Sequence, residues 1–95
     1  NAGTWLPESV GLKQNYPNPF NPATIISFTL DKTKNVEIKI FDALGKEIRT
    51  LVSKAFTQGE HNIKFDAADL PAGVYFYTLK TGNNFSATKK MILVK

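Results

Sequence analysis

The chain has no cysteine, one histidine, one tryptophan and one methionine among its 95 residues. Without cysteine there is no disulfide, no thiolate chemistry and no cysteine-based metal site. His61 and eight dispersed carboxylates give neither a zinc-ligand spacing nor an EF-hand loop. Walker A, G-x-G-x-x-G and G-x-S-x-G runs are all missing, and no carboxylate pair sits in a motif that would split two pKa values. These absences argue against catalysis and against a bound cofactor. No apolar run approaches the length of a membrane span. Arginine is scarce too: eleven of the twelve basic residues are lysine, scattered singly apart from Lys89-Lys90. Nucleic-acid binders cluster their basic residues and favour arginine for phosphate. The formal charge of +4 therefore reads as a solvated surface with a mild positive bias.

What is present fits one small folded domain. Apolar residues make up 42% and charged residues 21%, which excludes a disordered composition. A chain of this mass buries roughly 60–65% of its unfolded surface, enough for one modest core. Residues 1–12 contain Gly3, Pro7 and Gly11 without sustained periodicity, and read as a linker from which Trp5 could pack back. The absence of an initiator Met suggests a piece cut from something larger. Residues 13–95 form the domain.

After Pro22 the apolar residues alternate with period two, the signature of half-buried strands. Ile26, Phe28 and Leu30 share one face, as do Val36, Ile38 and Ile40. EIRTLVS is rich in β-branched residues; HNIKFD sends His61, Ile63 and Phe65 inward; VYFYTLK and FSATKKMILVK follow. Asp42-Ala43-Leu44-Gly45, Thr57-Gln58-Gly59 and Thr81-Gly82-Asn83-Asn84 supply turn chemistry. Six or seven short strands with turns about every 8–12 residues predict an all-β fold, an antiparallel β-sandwich. Leu70-Pro71-Ala72-Gly73-Val74-Tyr75 reads as a corner whose Tyr75 hydroxyl bonds back to nearby backbone. Tyr75, Tyr77 and Leu79 then face the core, leaving Val74 and Phe76 outside.

The segment Tyr16-Pro17-Asn18-Pro19-Phe20-Asn21-Pro22 carries three prolines. Each removes a backbone donor, which bars the run from a central strand. Each also biases its predecessor towards extended backbone. A stiff bridge along a sheet edge is expected, with Tyr16 and Phe20 pinning it to the core. Among residues that could carry chemistry, His61 reads as a semi-buried core residue. Asp66 and Asp69 could meet a calcium ion but suit turn chemistry better. Asn84-Phe85-Ser86 is a glycosylation sequon only in a eukaryotic secretory setting.

QNYPNPFNPATIISFTL, VEIKIFDALGKEIRTLV, GEHNIKFDAADLPAGVYFYTLKTG and the terminal KKMILVK together resemble the C-terminal sorting domain (type A) of type IX, or Por, secretion system cargo. Such domains end many secreted proteins of Bacteroidetes and related phyla. The resemblance spans residues 13–95 and implies an immunoglobulin-like sandwich of about seven strands with no enzymatic activity. It implies a periplasmic passage, export by the outer-membrane translocon with its shuttle protein, and removal by a surface sortase. The cargo would be covalently attached upstream, and any cut would fall within residues 1–14. Carried over by position, Lys89, Lys90, Met91, Ile92, Leu93, Val94 and Lys95 match the terminal motif needed for export. Gly73, Tyr75 and Tyr77 match the G-x-Y strand motif, Pro17, Asn18 and Pro19 the proline motif, and Gly45 the D-x-L-G-K-E turn.

The last strand is an edge candidate, and Met91-Ile92-Leu93-Val94 is apolar on both faces. Its outer half could be gripped through edge pairing or a groove, or both faces could be covered within the sandwich. Two other classes are compatible with the residues. One is a carbohydrate-binding or adhesive module, with Trp5 and Phe76 as stacking platforms. The other is a purely structural immunoglobulin-like module, like that of the flagellar hook-capping protein.

Overall fold

The alternating segments form two antiparallel sheets in the computed structural model, which describes residues 10–82 and 85–95. Trp5 and Asn84 lie outside the described residues. The strands are β1 (Gly11–Leu12), β2 (Ala23–Leu30), β3 (Lys34–Asp42), β4 (Glu47–Phe56), β5 (Gly59–Asp66), β6 (Gly73–Thr81) and β7 (Ser86–Leu93). They assemble as β1-β2-β5 in one sheet and β4-β3-β6-β7 in the other. Lettered A, B, C, C′, E, F and G along the chain, these are the immunoglobulin-like sheets ABE and C′CFG. β1 escapes periodicity analysis because two residues carry no period.

The inward faces meet in one apolar core. Ile26, Phe28 and Leu30 of β2 and Phe65 of β5 face Val36, Ile38 and Ile40 of β3 and Tyr75, Tyr77 and Leu79 of β6. Full burial of each such side chain contributes about 1.5–3 kcal/mol. His61 is half-buried on the inward side as expected, 5.4 Å from the Phe28 ring and 5.0 Å from that of Phe56. Its Nε2 lies 2.8 Å from the Thr57 carbonyl oxygen, so the imidazole is engaged in structure.

Connections follow the turn chemistry. The Asp42 carboxylate accepts bonds from the Leu44 and Lys46 amides, both at 2.9 Å, and Gly45 adopts φ 87°. That backbone region strains any residue with a Cβ, which is why glycine closes this turn. At the other corner the Tyr75 hydroxyl donates to the Pro71 carbonyl at 2.5 Å, as the corner motif predicts. Tyr75, Tyr77 and Leu79 are buried, while Val74 and Phe76 lie on the outer face.

The proline segment connects the two sheets. The Tyr16 amide donates to the Ile25 carbonyl at 3.0 Å, fastening the run to β2. Four residues on, the Phe20 amide donates to the Ile92 carbonyl and its own carbonyl accepts from Val94, both at 2.9 Å, fastening it to β7. The X–Pro bonds at Tyr16–Pro17, Asn18–Pro19 and Asn21–Pro22 are cis. Backbone donors of the run are asked for only at Tyr16 and Phe20, not at the prolines. Phe20 pins the run as expected, 1% exposed with its ring 6.1 Å from that of Phe65. Tyr16 does not: it is 79% exposed and contributes backbone only. The bridge to Ile25 turns its side chain to solvent, away from the core.

Just before the run, the Tyr77 hydroxyl, inside the core, donates to the Lys13 carbonyl and accepts from the Asn15 amide, both at 2.7 Å. Buried Asn15 donates to Thr24 Oγ1 at 3.0 Å and to the Pro17 carbonyl at 3.1 Å. The two tyrosines of β6 therefore tie down two separate connections.

Phe20→Ala should cost about 3–5 kcal/mol in denaturant unfolding, the usual range for emptying a buried aromatic site. Tyr16→Ala should stay within about 0.5 kcal/mol in the same measurement. Burial pushes the Tyr77 hydroxyl up to about 12, while the bond from Asn15 pulls the other way. An unfolded tyrosine ionises near about 10, so above that pH the unfolded state sheds a proton that the folded state keeps. Stability present below this range should be lost as pH rises towards the folded value. Tyr77→Phe should lower stability by about 1–3 kcal/mol at neutral pH by orphaning the Asn15 amide and Lys13 carbonyl. It should also flatten the alkaline decline, which urea midpoints measured at several alkaline pH values would read.

Candidate functional site

The residues singled out by sequence converge on β7 and its two neighbours. On one side β7 pairs with β6, placing Gly73 opposite Leu93, Val74 opposite Ile92 and Tyr75 opposite Met91. On the other side lies the proline segment, through the parallel bridge of Phe20 with Leu93. Proline motif, G-x-Y motif and terminal motif are thus three adjacent rows of backbone, with several of their side chains in the core. Gly45 serves the β3–β4 turn and is not part of these rows.

Alternation divides the terminal motif. Met91 and Leu93 are fully buried in the core, whereas Lys90, Ile92 and Val94 point out, Ile92 half-covered and Val94 exposed. Lys89 is half-buried on the inward side. The Lys95 ammonium reaches the Ala68 carbonyl at 3.3 Å and so tethers the end to the β5–β6 connection.

β7 is an edge strand of its sheet, but its outer edge is occupied over the motif. The Ile92 amide donates to the Asn18 side-chain oxygen at 3.0 Å, and the Gln14 side-chain amide donates to the Lys90 carbonyl at 2.6 Å. With the two Phe20 bonds, the outward backbone groups from the Lys90 carbonyl to the Val94 amide are satisfied within the chain. Pairing a foreign strand there would first require displacing the proline segment. Gln14, Asn15 and the acceptor role of Asn18 were not legible in the sequence. Isolated polar residues between prolines carry no pattern that marks them as caps for a strand dozens of residues away.

Other candidates have local work. The Asp66 carboxylate caps the Ala68 amide at 2.9 Å. Asp69 takes the Arg49 guanidinium on both oxygens, at 2.9 and 3.1 Å, and this bond holds its carboxyl below the usual range. Arg49 also donates to the Asp66 carbonyl and lies 5.5 Å from the Phe65 ring centre. These carboxylates are used as turn caps and ion-pair partners. Among the described residues no three His, Cys, Asp or Glu side chains gather as a metal site, and no helix is long and apolar enough to cross a membrane. Phe76 is half-buried on the outer sheet face, with Phe41 and Lys90 as its cross-strand partners.

Comparison with known proteins places this geometry. Residues 14–95 match the family described as secretion system C-terminal sorting domains. No curated protein matches the chain. Among solved structures, PorZ of Porphyromonas gingivalis, an essential bacterial surface component of the type-IX secretion system, superposes with a TM-score of 0.61 at 24% identity. That match covers 90% of this chain and 12% of that protein, and it shows the shared fold. The first immunoglobulin domain of mouse SynCAM 2 gives a TM-score of 0.46 at 14% identity, over 93% of this chain and 95% of that one. The chain belongs to the family of secretion system C-terminal sorting domains, the sorting signals of type IX secretion.

Proposed function

We propose that this domain is a non-enzymatic address label, covalently attached to an upstream cargo and read at Lys89–Lys95 by the type IX translocon. The carrying observation is the family match over residues 14–95, combined with the meeting of its three motif groups on β7. As a sorting domain it serves transport to the cell surface or beyond. The finer route is a passage through the periplasm, handling by the translocon and its outer-membrane shuttle protein, and removal by a surface sortase. The sequence-based boundary of residues 13–95, with residues 1–12 as the approach from the cargo, moves back to include β1 (Gly11–Leu12) in the sandwich. Gly11 and Leu12 are paired with Thr29 and Phe28 of β2, so a cut that leaves the sandwich intact falls before Gly11.

A folded label suits this role because its stability lies in a core that the cargo does not touch. The Lys13–Glu60 ion pair, at 2.8 Å, is exposed on both sides and contributes little. Removal of Met91–Lys95 is a poor test of recognition alone, because it takes away two core side chains and the strand bonded to Phe20. Each such core truncation costs about 2–5 kcal/mol.

Fusion of residues 1–95 to a periplasm-directed fluorescent protein, expressed in a type IX-competent bacterium and in a translocon-deficient strain, tests the proposal. Surface or medium fluorescence should appear only in the competent strain. Retention of a folded fusion in the periplasm of both strains would sink it.

A further inference from the structure

The two outer sheet faces differ in chemistry. On the β1-β2-β5 side the outward residues are mainly polar, as in Ser27, which bonds Asn62 at 2.5 Å. An antiparallel sheet with one solvated face is expected to look like this. The other outer face does not. Phe41 pairs across strands with Phe76, and Val74 pairs with Ile92, so four large apolar side chains from β3, β6 and β7 adjoin on a face that no element of the described fold covers. A groove of about 230 Å³ between the β3–β4 turn and the start of β6 borders this patch at Val74.

Charge is arranged around it. Glu37 and Glu47 are both engaged by Lys39, at 3.9 and 3.2 Å. Lys80 and Lys90, also outward on this face, have no carboxylate within ion-pairing distance among the described residues. Counted over the face, Lys39, Lys80 and Lys90 outnumber Glu37 and Glu47, so the patch has an apolar centre and a net positive rim. A central apolar cluster ringed by charge is the usual anatomy of a protein–protein contact.

Resting on the sorting-signal reading, we infer that the domain is recognised through this outer face, by a protein surface with an apolar centre and an acidic rim, and not through the edge of β7. Three features converge on this assignment. Met91 and Leu93 are consumed by the core. The outer edge from Lys90 to Val94 is bonded to the proline segment and Gln14. What the terminal strand and the G-x-Y strand still offer to a partner is their outward set, Lys90 and Ile92 beside Val74 and Phe76. Pairing by sheet register makes these one surface although they lie well apart in sequence.

The test uses the fluorescent fusion of residues 1–95, with the wild-type sequence scored in the same experiment. The double variant Phe76→Glu/Ile92→Glu should reduce translocon-dependent export by about tenfold or more, the loss expected on removing a central anchor pair. Phe76→Thr/Ile92→Thr, which keeps strand-forming residues, should reduce it in the same direction if the acidic pair impairs folding. Thermal melting of the purified domains identifies the folded variants. Lys80→Glu/Lys90→Glu should also lower export, and Lys64→Glu on the opposite sheet should not. Wild-type export with undiminished export of a folded face variant would overturn the assignment and leave the sorting reading standing. Absence of wild-type export would remove both. Purified domain should stay monomeric by sedimentation and should not co-sediment with phosphatidylglycerol vesicles. A dimer or vesicle binding abolished by Ile92→Glu would reassign the face to a second copy or to lipid, and would overturn the acidic-partner proposal.

Discussion

The attachment of one short proline-rich segment to both sheets is the constraint on which the rest of the structure depends. A sandwich holds its two layers together by the apolar contact between them, a force without direction. The run from Tyr16 to Pro22 adds direction, since its backbone bonds β2 in one sheet and β7 in the other. Phe20, at the second of these attachments, fills the core end against Phe65. The last strand consequently lies between two neighbours, β6 on one side and the proline segment on the other. A terminal strand held along one edge would fray more readily.

The same economy governs the polar atoms. Tyr75 and Tyr77 contribute their rings to the core, and each sends its hydroxyl to a connection that would otherwise hold unpaired backbone groups. A buried tyrosine is stable only when its hydroxyl has a partner, and a buried carbonyl or amide likewise. Each side chain therefore satisfies two requirements with one contact. This accounts for the alternation along β6, in which Tyr75 and Tyr77 face inward and Val74 and Phe76 face out.

For a sorting label, division of labour between the faces of β7 is the functional consequence. Inward residues are committed to folding, because Met91 and Leu93 belong to the core. Outward residues are free of that duty. Their chemistry can answer to a partner, and it carries apolar groups where folding alone asks for polar ones. Closure of the strand's edge by the proline segment also guards against pairing with other chains, a hazard that edge strands commonly carry. β4, at the other side of the same sheet, carries an extra residue at Leu51 and at Ile48 where its register with β3 shifts, another recognised means of blunting an edge.

Local chemistry made much of this legible in advance. Period-two alternation identified β2, β3, β5 and β6 and their inward residues, because a strand buried on one face must alternate. Asp42 and Gly45 marked their turn, and Pro71 with Tyr75 marked the corner, since each depends on residues a few positions apart. The family was readable from the ordered set of motifs between Gln14 and Lys95. Tertiary structure alone decided which of the two aromatics in the proline run enters the core, because Tyr16 and Phe20 have similar apolar bulk. It also decided that Tyr77 would meet Lys13 and Asn15, and that Asn18 and Gln14 would cap a strand more than seventy residues away. Such partners are chosen by the register of two sheets, a property of the assembled whole that no short window of sequence contains.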